Sequence, residues 1–364
     1  MELTKCKLGE LITQRREKND GSDLPICGVS KDGLIPPKQK DADTSIYNVF
    51  YRDDFIFNPA RMELNSIAIN DMYDRAICSS LYEVFYVHRT DLLLPHYLEL
   101  IIRQKWFTRY CEFLGQGSAR EYCRFGNISE IEIEFPPIEE QQKIVEYNTA
   151  IENRIALKQK INDNLAATIQ TIFLSCKQSD TFKTYLPLNE LVKTVNFRNK
   201  DNVYGIDDLM GVSLTKEFIK SPANTISLDV SNYKIVKPFQ FACNLMHVGR
   251  DKKVAVGMLT DADNVIISPA FTVFETINNN VILPEVLVSW FSQSFFDNEV
   301  SYLASEGIRD GIKWDTFAQI PIFIPEFEIQ TKIQNIYKNI QQNKLEISTL
   351  NNFADTFITT LSSC

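Results

Sequence analysis

The sequence predicts an α+β protein. Two mixed α/β domains stand in a pseudo-twofold arrangement, separated by two long antiparallel helices. Three observations predict this. The chain repeats itself once, at offsets of 180 to 189 residues. Residues 138–176 and 327–362 contain no Gly or Pro and place apolar residues three and four apart, the spacing of a buried helix face. The remainder of each copy is a series of short apolar runs punctuated by Gly, Pro, Asn and Asp, the texture of strands and turns.

The repeat can be followed from one end of each copy to the other. Leu8, Glu10 and Leu11 return as Leu188, Glu190 and Leu191, and Gly28-Val29-Ser30 returns as Gly211-Val212-Ser213. Tyr47 and Asn58 return as Tyr233 and Asn244, and Val84-Phe85 as Val273-Phe274. The offset grows as small insertions would make it grow. From Val84 onward it holds at 189: Pro95 meets Pro284, Leu98 meets Leu287, Arg120 meets Arg309, and Pro136 meets Pro325.

Each copy has the same internal plan. Runs such as Asp54-Phe-Ile-Phe57 and Val265-Ile-Ile267 read as strands. A short helix begins at Pro95 and at Pro284, because Pro suits the first helical turn. The extended runs 131–135 and 320–324 carry apolar residues at alternate positions, and a proline closes each. A long helix follows. In the second copy Ile333, Ile336, Ile340, Asn343, Ile347, Leu350, Ala354, Phe357 and Leu361 form one seam. In the first, Ile144, Tyr147, Ile151, Arg154, Lys158, Ile161, Leu165, Thr168 and Ile172 form a less regular one. Two seams of equal length in one chain are natural partners, and the polar breaks at Arg154, Lys158 and Asn343 suit a fixed register. A helix of some 36 residues is about 54 Å long, suited to holding two domains apart. The predicted boundaries are 1–137 for the first domain, 138–178 for its helix, 184–325 for the second domain and 326–364 for its helix.

Composition narrows the function. The 364 residues carry net charge −9, which taken alone argues against binding nucleic acid. The excess is spread evenly, with 17 basic against 21 acidic residues in 1–135 and 12 against 16 in 184–322. Local stretches run the other way. Lys234, Lys237, Arg250, Lys252 and Lys253 face the single acid Asp251, and Arg103, Lys105 and Arg109 interleave with Trp106, Phe107 and Tyr110. The eight cysteines contain no CxxC pair and the three histidines have no ligand spacing, so thiols in a reducing cytoplasm are expected and a metal site is not. The N-terminus lacks the character of a signal peptide and no run is long enough to span a bilayer, so a cytoplasmic location is expected. No GxGxxG, P-loop or GxSxG pattern is present. Asn58-Pro59-Ala60-Arg61 lacks the second Pro and the aromatic of an adenine methyltransferase motif. The residues therefore point to a binding protein without catalysis of its own.

The run Pro136-Pro137-Ile138-Glu139-Glu140-Gln141-Gln142-Lys143-Ile144, followed by a long helix, resembles the conserved region of the specificity subunits of type I restriction-modification systems, the HsdS family. The weaker copy Pro325 to Ile333 does too, with Phe327, Ile329 and Thr331 as departures. The loops Gly117-Ser-Ala-Arg120 and Ser305-Glu-Gly-Ile-Arg309 resemble those of that family's target-recognition domains. The resemblance implies that each mixed domain reads one half of an asymmetric, split site on double-stranded DNA. The paired helices would set the spacer and dock two methyltransferase subunits. Restriction subunits would complete a cleaving complex, and S-adenosylmethionine, ATP and Mg would reside on those partners rather than on this chain.

Candidates for DNA contact are Lys31, Arg61, Arg120 and Arg124 in the first copy, and Lys216, Asn244, Arg250, Lys252, Arg309 and Lys313 in the second. Cations suit phosphates, and Arg or Asn suits base edges. Candidates for methyltransferase docking are Gln141, Lys143, Ile144, Gln330, Lys332 and Ile333. The competing readings are a coiled-coil scaffold with no DNA role and a self-contained DNA-modifying enzyme.

Overall fold

A computed structural model describes residues 3–31, 33–37, 43–115, 122–178, 184–221, 228–260, 263–305 and 311–360. The chain forms two compact units, Met1–Leu157 with Ile347–Cys364, and Lys158–Glu346.

The mixed part of the first unit carries β1 (Thr4–Lys7), β2 (Ile12–Arg15), β3 (Ile26–Ser30), β4 (Gly33–Ile35), β5 (Asn48–Tyr51), β6 (Phe55–Phe57), β7 (Ile67–Ile69), β8 (Arg75–Cys78) and β9 (Glu83–Val87). Helices α1 (Pro95–Ile102), α2 (Lys105–Gly115) and α3 (Phe125–Ser129), strand β10 (Glu132–Phe135) and the long helix α4 (Ile138–Gln178) follow. The strands form the sheets β2-β9-β6-β7 and β4-β3-β8-β5 and the pair β1-β10. All neighbours are antiparallel except β3 and β8.

Strand β6 is buried on both faces, so its sequence is a continuous apolar run rather than an alternation. Phe55 and Phe57 enter the core beneath α1 and α2, while Ile56 faces a smaller core with Phe50 and Val84. Strand β10 lies at an edge and alternates: Ile133 and Phe135 are buried, Glu132 and Glu134 exposed.

The second unit repeats this plan. It carries α5 (Leu188–Leu191), α6 (Val248–Asp251), α7 (Pro284–Phe291), α8 (Ser294–Ser305), α9 (Trp314–Phe317) and, up to Glu346, the long helix α10 (Phe327–Thr360). Its strands are β11 (Thr184–Pro187), β12 (Val192–Val195), β13 (Leu209–Val212), β14 (Phe218–Lys220), β15 (Lys234–Val236), β16 (Phe241–Asn244), β17 (Ala255–Met258), β18 (Val265–Ile267), β19 (Thr272–Thr276) and β20 (Pro321–Ile324). The sheets are β12-β19-β16-β17, β14-β13-β18-β15 and β11-β20. Adding ten to every strand number converts the first topology into the second, including the one parallel pair, β13 with β18.

The repeat reaches individual side chains and dihedrals. Cross-strand partners Phe55 and Phe85 stack with centroids 4.9 Å apart, and their counterparts Phe241 and Phe274 stack at 5.0 Å. The turns before β6 and β16 place Asp53 and Phe239 at φ of 65° and 66°.

Helix α4 spans Ile138–Gln178 and α10 runs to Thr360, the last described residue, and neither contains Gly or Pro. Within the second unit the portions of α4 and α10 pair. Lys158 Nζ donates to Asn343 Oδ1 at 2.9 Å and meets Glu346 at 2.8 Å, and Asn343 Nδ2 donates to Asn162 Oδ1 at 2.9 Å. As one helix runs from 158 to 162 its partner runs from 346 back to 343, so the pairing is antiparallel. Below this polar layer Ile169 and Phe173 are buried in one core with Ile333 and Ile340. The seam of α4 departs here from its expected course. Thr168 is exposed, bonded to the Asn164 carbonyl, and Ile169 takes the inward position. The cause is a second neighbour: Phe173 meets Trp290 of α7 edge-on at 5.2 Å, so this part of α4 covers a domain as well as a helix.

Among the described residues every cysteine is a free thiol, no cluster suited to a metal ion occurs, and no helix is long and apolar enough to cross a membrane.

Candidate nucleic-acid interface

An open cleft of about 1510 Å³ lies in the first unit. Three local structures bring its cations together. The β3–β4 turn presents Lys31. A 3-10 helix, Pro59–Leu64, presents Arg61. Its start is fixed by Asn58, whose Oδ1 accepts from the Ala60 amide at 3.1 Å, and its end by Asn65 in the left-handed conformation. Asn58 thus caps a helix, which accounts for its Asn-Pro pairing without any catalytic role. Helix α2 is amphipathic. Phe107 and Cys111 are wholly buried, while Lys105, Thr108, Arg109 and Glu112 line the cleft.

Arg124 completes the wall. It stands just before α3, 3.2 Å from Glu83 and 5.3 Å from the Tyr122 ring, and Glu83 also accepts from the Phe125 amide at 2.7 Å. Lys31, Arg61, Lys105 and Arg109 are exposed and make no ion pair with any described residue. Arg103, also at the rim, is held by Glu99 at 2.6 Å and Glu152 at 2.7 Å, so its charge is spent in tying α1 to α4. Four cations outside any ion pair among the described residues, against Glu63 and Glu112 in the same lining and with Asn58 and Asn65 beside them, leave the concavity net positive, which suits a phosphate backbone with base edges in reach.

In the corresponding region of the second unit Asn244 and Lys313 come close, and Arg250 and Lys252 follow Asn244 in and after α6. The Ile312 amide donates to the Leu245 carbonyl at 3.0 Å, matching the bond from Cys123 to Pro59 in the first unit, and so sets Lys313 beside the Asn244 loop. Lys313 stands before α9 as Arg124 stands before α3. Asn244 Oδ1 accepts from the Met246 amide, Arg250 bonds Asp251 at 2.7 and 3.1 Å, and Lys252 ends α6 in the left-handed conformation. Arg120 and Arg309 lie outside the described residues.

Four expectations are corrected. Lys216 is no surface contact. It is buried, with Nζ 2.5 Å from both Asp297 Oδ1 and the Val254 carbonyl, and burial pushes its pKa down despite the carboxylate. Gln141 and Gln330 are buried and fully bonded within their own domains, so neither is presented to a partner. Ile333 is wholly buried in the second unit's core. Ile144 is half-buried against the core of the first. Lys143 and Lys332 are exposed, in pairs with Glu140 and Glu328 of their own helices. In turn, Lys105 and Arg109 were readable only as basic residues among aromatics. Their four-residue spacing on one helix face is the signal that places them on the cleft.

Residues 6–167 match the family described as the type I restriction modification DNA specificity domain. The chain resembles the crystal structure of a type I restriction-modification system S subunit from M. genitalium at a TM-score of 0.60 and 13% identity, covering 99% of this chain and 96% of that one. At that identity the likeness is one of fold. The crystal structure of an HsdS subunit from Thermoanaerobacter tengcongensis is more distant, with a TM-score of 0.40, 15% identity and coverage of 99% and 96%. No curated protein sequence matches the chain.

Proposed function

We propose that this chain, whose residues 6–167 match the type I restriction modification DNA specificity domain, is a specificity subunit in which each of two mixed domains reads one half of a split DNA site. The observation that carries this reading is the duplication of a whole domain, strand order and parallel pair included, within one chain. Two readers with different surface residues specify two different half-sites, so the site is asymmetric. The four cations of the first cleft supply phosphate contacts there, and Asn244, Arg250, Lys252 and Lys313 supply them in the second domain. The long helices set the spacer between the half-sites.

The chain is the non-catalytic member of its complex. Methylation belongs to methyltransferase subunits, which dock on the outer faces of the helices, where Tyr147 and Leu157 of α4 are exposed, rather than through the buried glutamines. Restriction subunits join a complex that cleaves. The net charge of −9 then makes partners necessary for grip as well as for chemistry.

Filter retention of labelled DNA at increasing salt tests the reading. The complex of this chain with its methyltransferase partner is expected to retain DNA carrying the site, whereas the partner alone retains little. Equal retention by the partner alone would overturn it.

A further inference from the structure

Gln141 and Gln330 have no place in the DNA-reading surface, yet they make the same three buried bonds in both copies. Gln141 Oε1 accepts from the Leu94 amide at 2.9 Å, and its Nε2 donates to the Leu92 carbonyl at 2.7 Å and the Pro136 carbonyl at 2.8 Å. Gln330 Oε1 accepts from the Leu283 amide at 2.9 Å, and its Nε2 donates to the Val281 carbonyl at 2.9 Å and the Pro325 carbonyl at 3.0 Å. Both side chains are almost wholly shielded from solvent, at 0% and 2% exposure.

The geometry joins three segments at one point. Pro136 and Pro325 form the corner between the last strand of the domain and its long helix. Leu94 and Leu283 are the residues just before the prolines that open α1 and α7. Gln141 and Gln330 stand within the first turn of the long helices. A glutamine amide offers one acceptor and two donors, and here all three groups are used on backbone atoms. No other side chain of that length offers the same set: Glu lacks the donors, and Lys lacks the acceptor. The first turn of the long helix is thereby tied both to the proline corner and to the segment that leads into α1 or α7, and a corner tied to two segments does not swing.

We infer that Gln141 and Gln330 are positioning residues that fix the direction in which each long helix leaves its recognition domain, and so the spacer length the protein accepts. The inference rests on the helices acting as the spacer, as proposed above. The test is methylation by the assembled complex on a DNA series with fixed half-sites and spacers from two base pairs shorter to two longer than the native one. Q141E and Q330E keep the acceptor and remove both donors. Each is expected to cut the preference for the native spacer by about tenfold, the scale of effect of a small misplacement, while penalties for base changes inside the half-sites stay those of the parent. Uniform loss at every spacer, with the native preference kept, would overturn the inference. If Q141E fails to assemble, Q141M, which keeps the length of the side chain, takes its place with the same two outcomes. A parent complex indifferent to spacer length would overturn the spacer reading itself, and this inference with it. A parent with a fixed spacer whose variants keep it would overturn the inference alone.

Discussion

Lys216 occupies the turn position that Gly33 holds in the first copy, with a left-handed φ of 69° against 107°. In the first copy that position carries no side chain, and the neighbouring Lys31 faces the cleft. In the second the long side chain is drawn inward to Asp297, whose counterpart is the neutral Thr108. A basic residue in a turn was therefore read correctly as to position and wrongly as to direction. The partner that decides the direction lies 81 residues further on, beyond the reach of local pattern. Asp297→Ala is expected to cost about 3–5 kcal/mol, because it strands a buried ammonium. Urea unfolding of the chain measures it, and a cost near zero would deny that the pair is structural. The cleft cations carry the opposite expectation. Arg61→Ala and Arg109→Ala are expected to leave stability alone and each to lower the slope of log affinity against log salt by about 0.9 in the assembled complex. An unchanged slope would remove them from the DNA surface. His96 gives a pH signature. The Glu99 carboxylate, 3.6 Å away, raises its pKa against desolvation, with Asp53 adding at the same distance. Its folded pKa lies above its unfolded one, so its stabilisation is present below about pH 6.5 and fades as pH rises through the folded value. The stability difference between parent and His96→Gln is therefore expected to shrink from pH 5.5 to pH 8.5 in thermal unfolding. A difference that grows would contradict the assignment.

Among the elements, the helices were the most legible and the sheets the least. The long helices could be bounded because Pro136 and Pro325 precede them and neither contains Gly or Pro. Strands of three to five residues could be located, but their order could not, since β3 beside β8 or β13 beside β18 is a pairing across some fifty residues with no local trace. Of the expected polar breaks, Lys158 and Asn343 meet, joined by Asn162 and Glu346, while Arg154 falls in the first unit. The seam of α4 could not be fully read, because a helix that serves both a partner helix and a domain obeys neither spacing alone. Apolar and polar layers divide the work. Ile333→Ala is expected to cost about 2–5 kcal/mol, as for a large core side chain. Asn343→Ala is expected to cost only about 1–2 kcal/mol, two partly buried hydrogen bonds. Urea unfolding of both variants ranks them, and the reverse order would mean that the polar layer holds the pair together rather than fixing its register.

At the scale of the whole molecule, the repeat is what the sequence exposed most fully. Its constant offset from Val84 onward matches identical sheet orders, and its drift before that point matches turns of different length. The proposed reading also accounts for the acidic sum: the total charge of −9 hides a cleft with several basic residues, and partners would supply the rest of the grip on DNA. What the repeat could not reveal was which of its shared residues serve the outside and which the inside. Gln141 and Gln330 were singled out by their recurrence, and recurrence is equally the mark of a structural bond. The central claim is that one chain carries two different readers at a fixed separation. Sequencing of modified bases in cells that express this chain with its methyltransferase partner tests it most directly. The account predicts one methylated motif made of two unlike half-sites around a spacer of constant length and unspecified bases. Methylation at a continuous palindrome would contradict it.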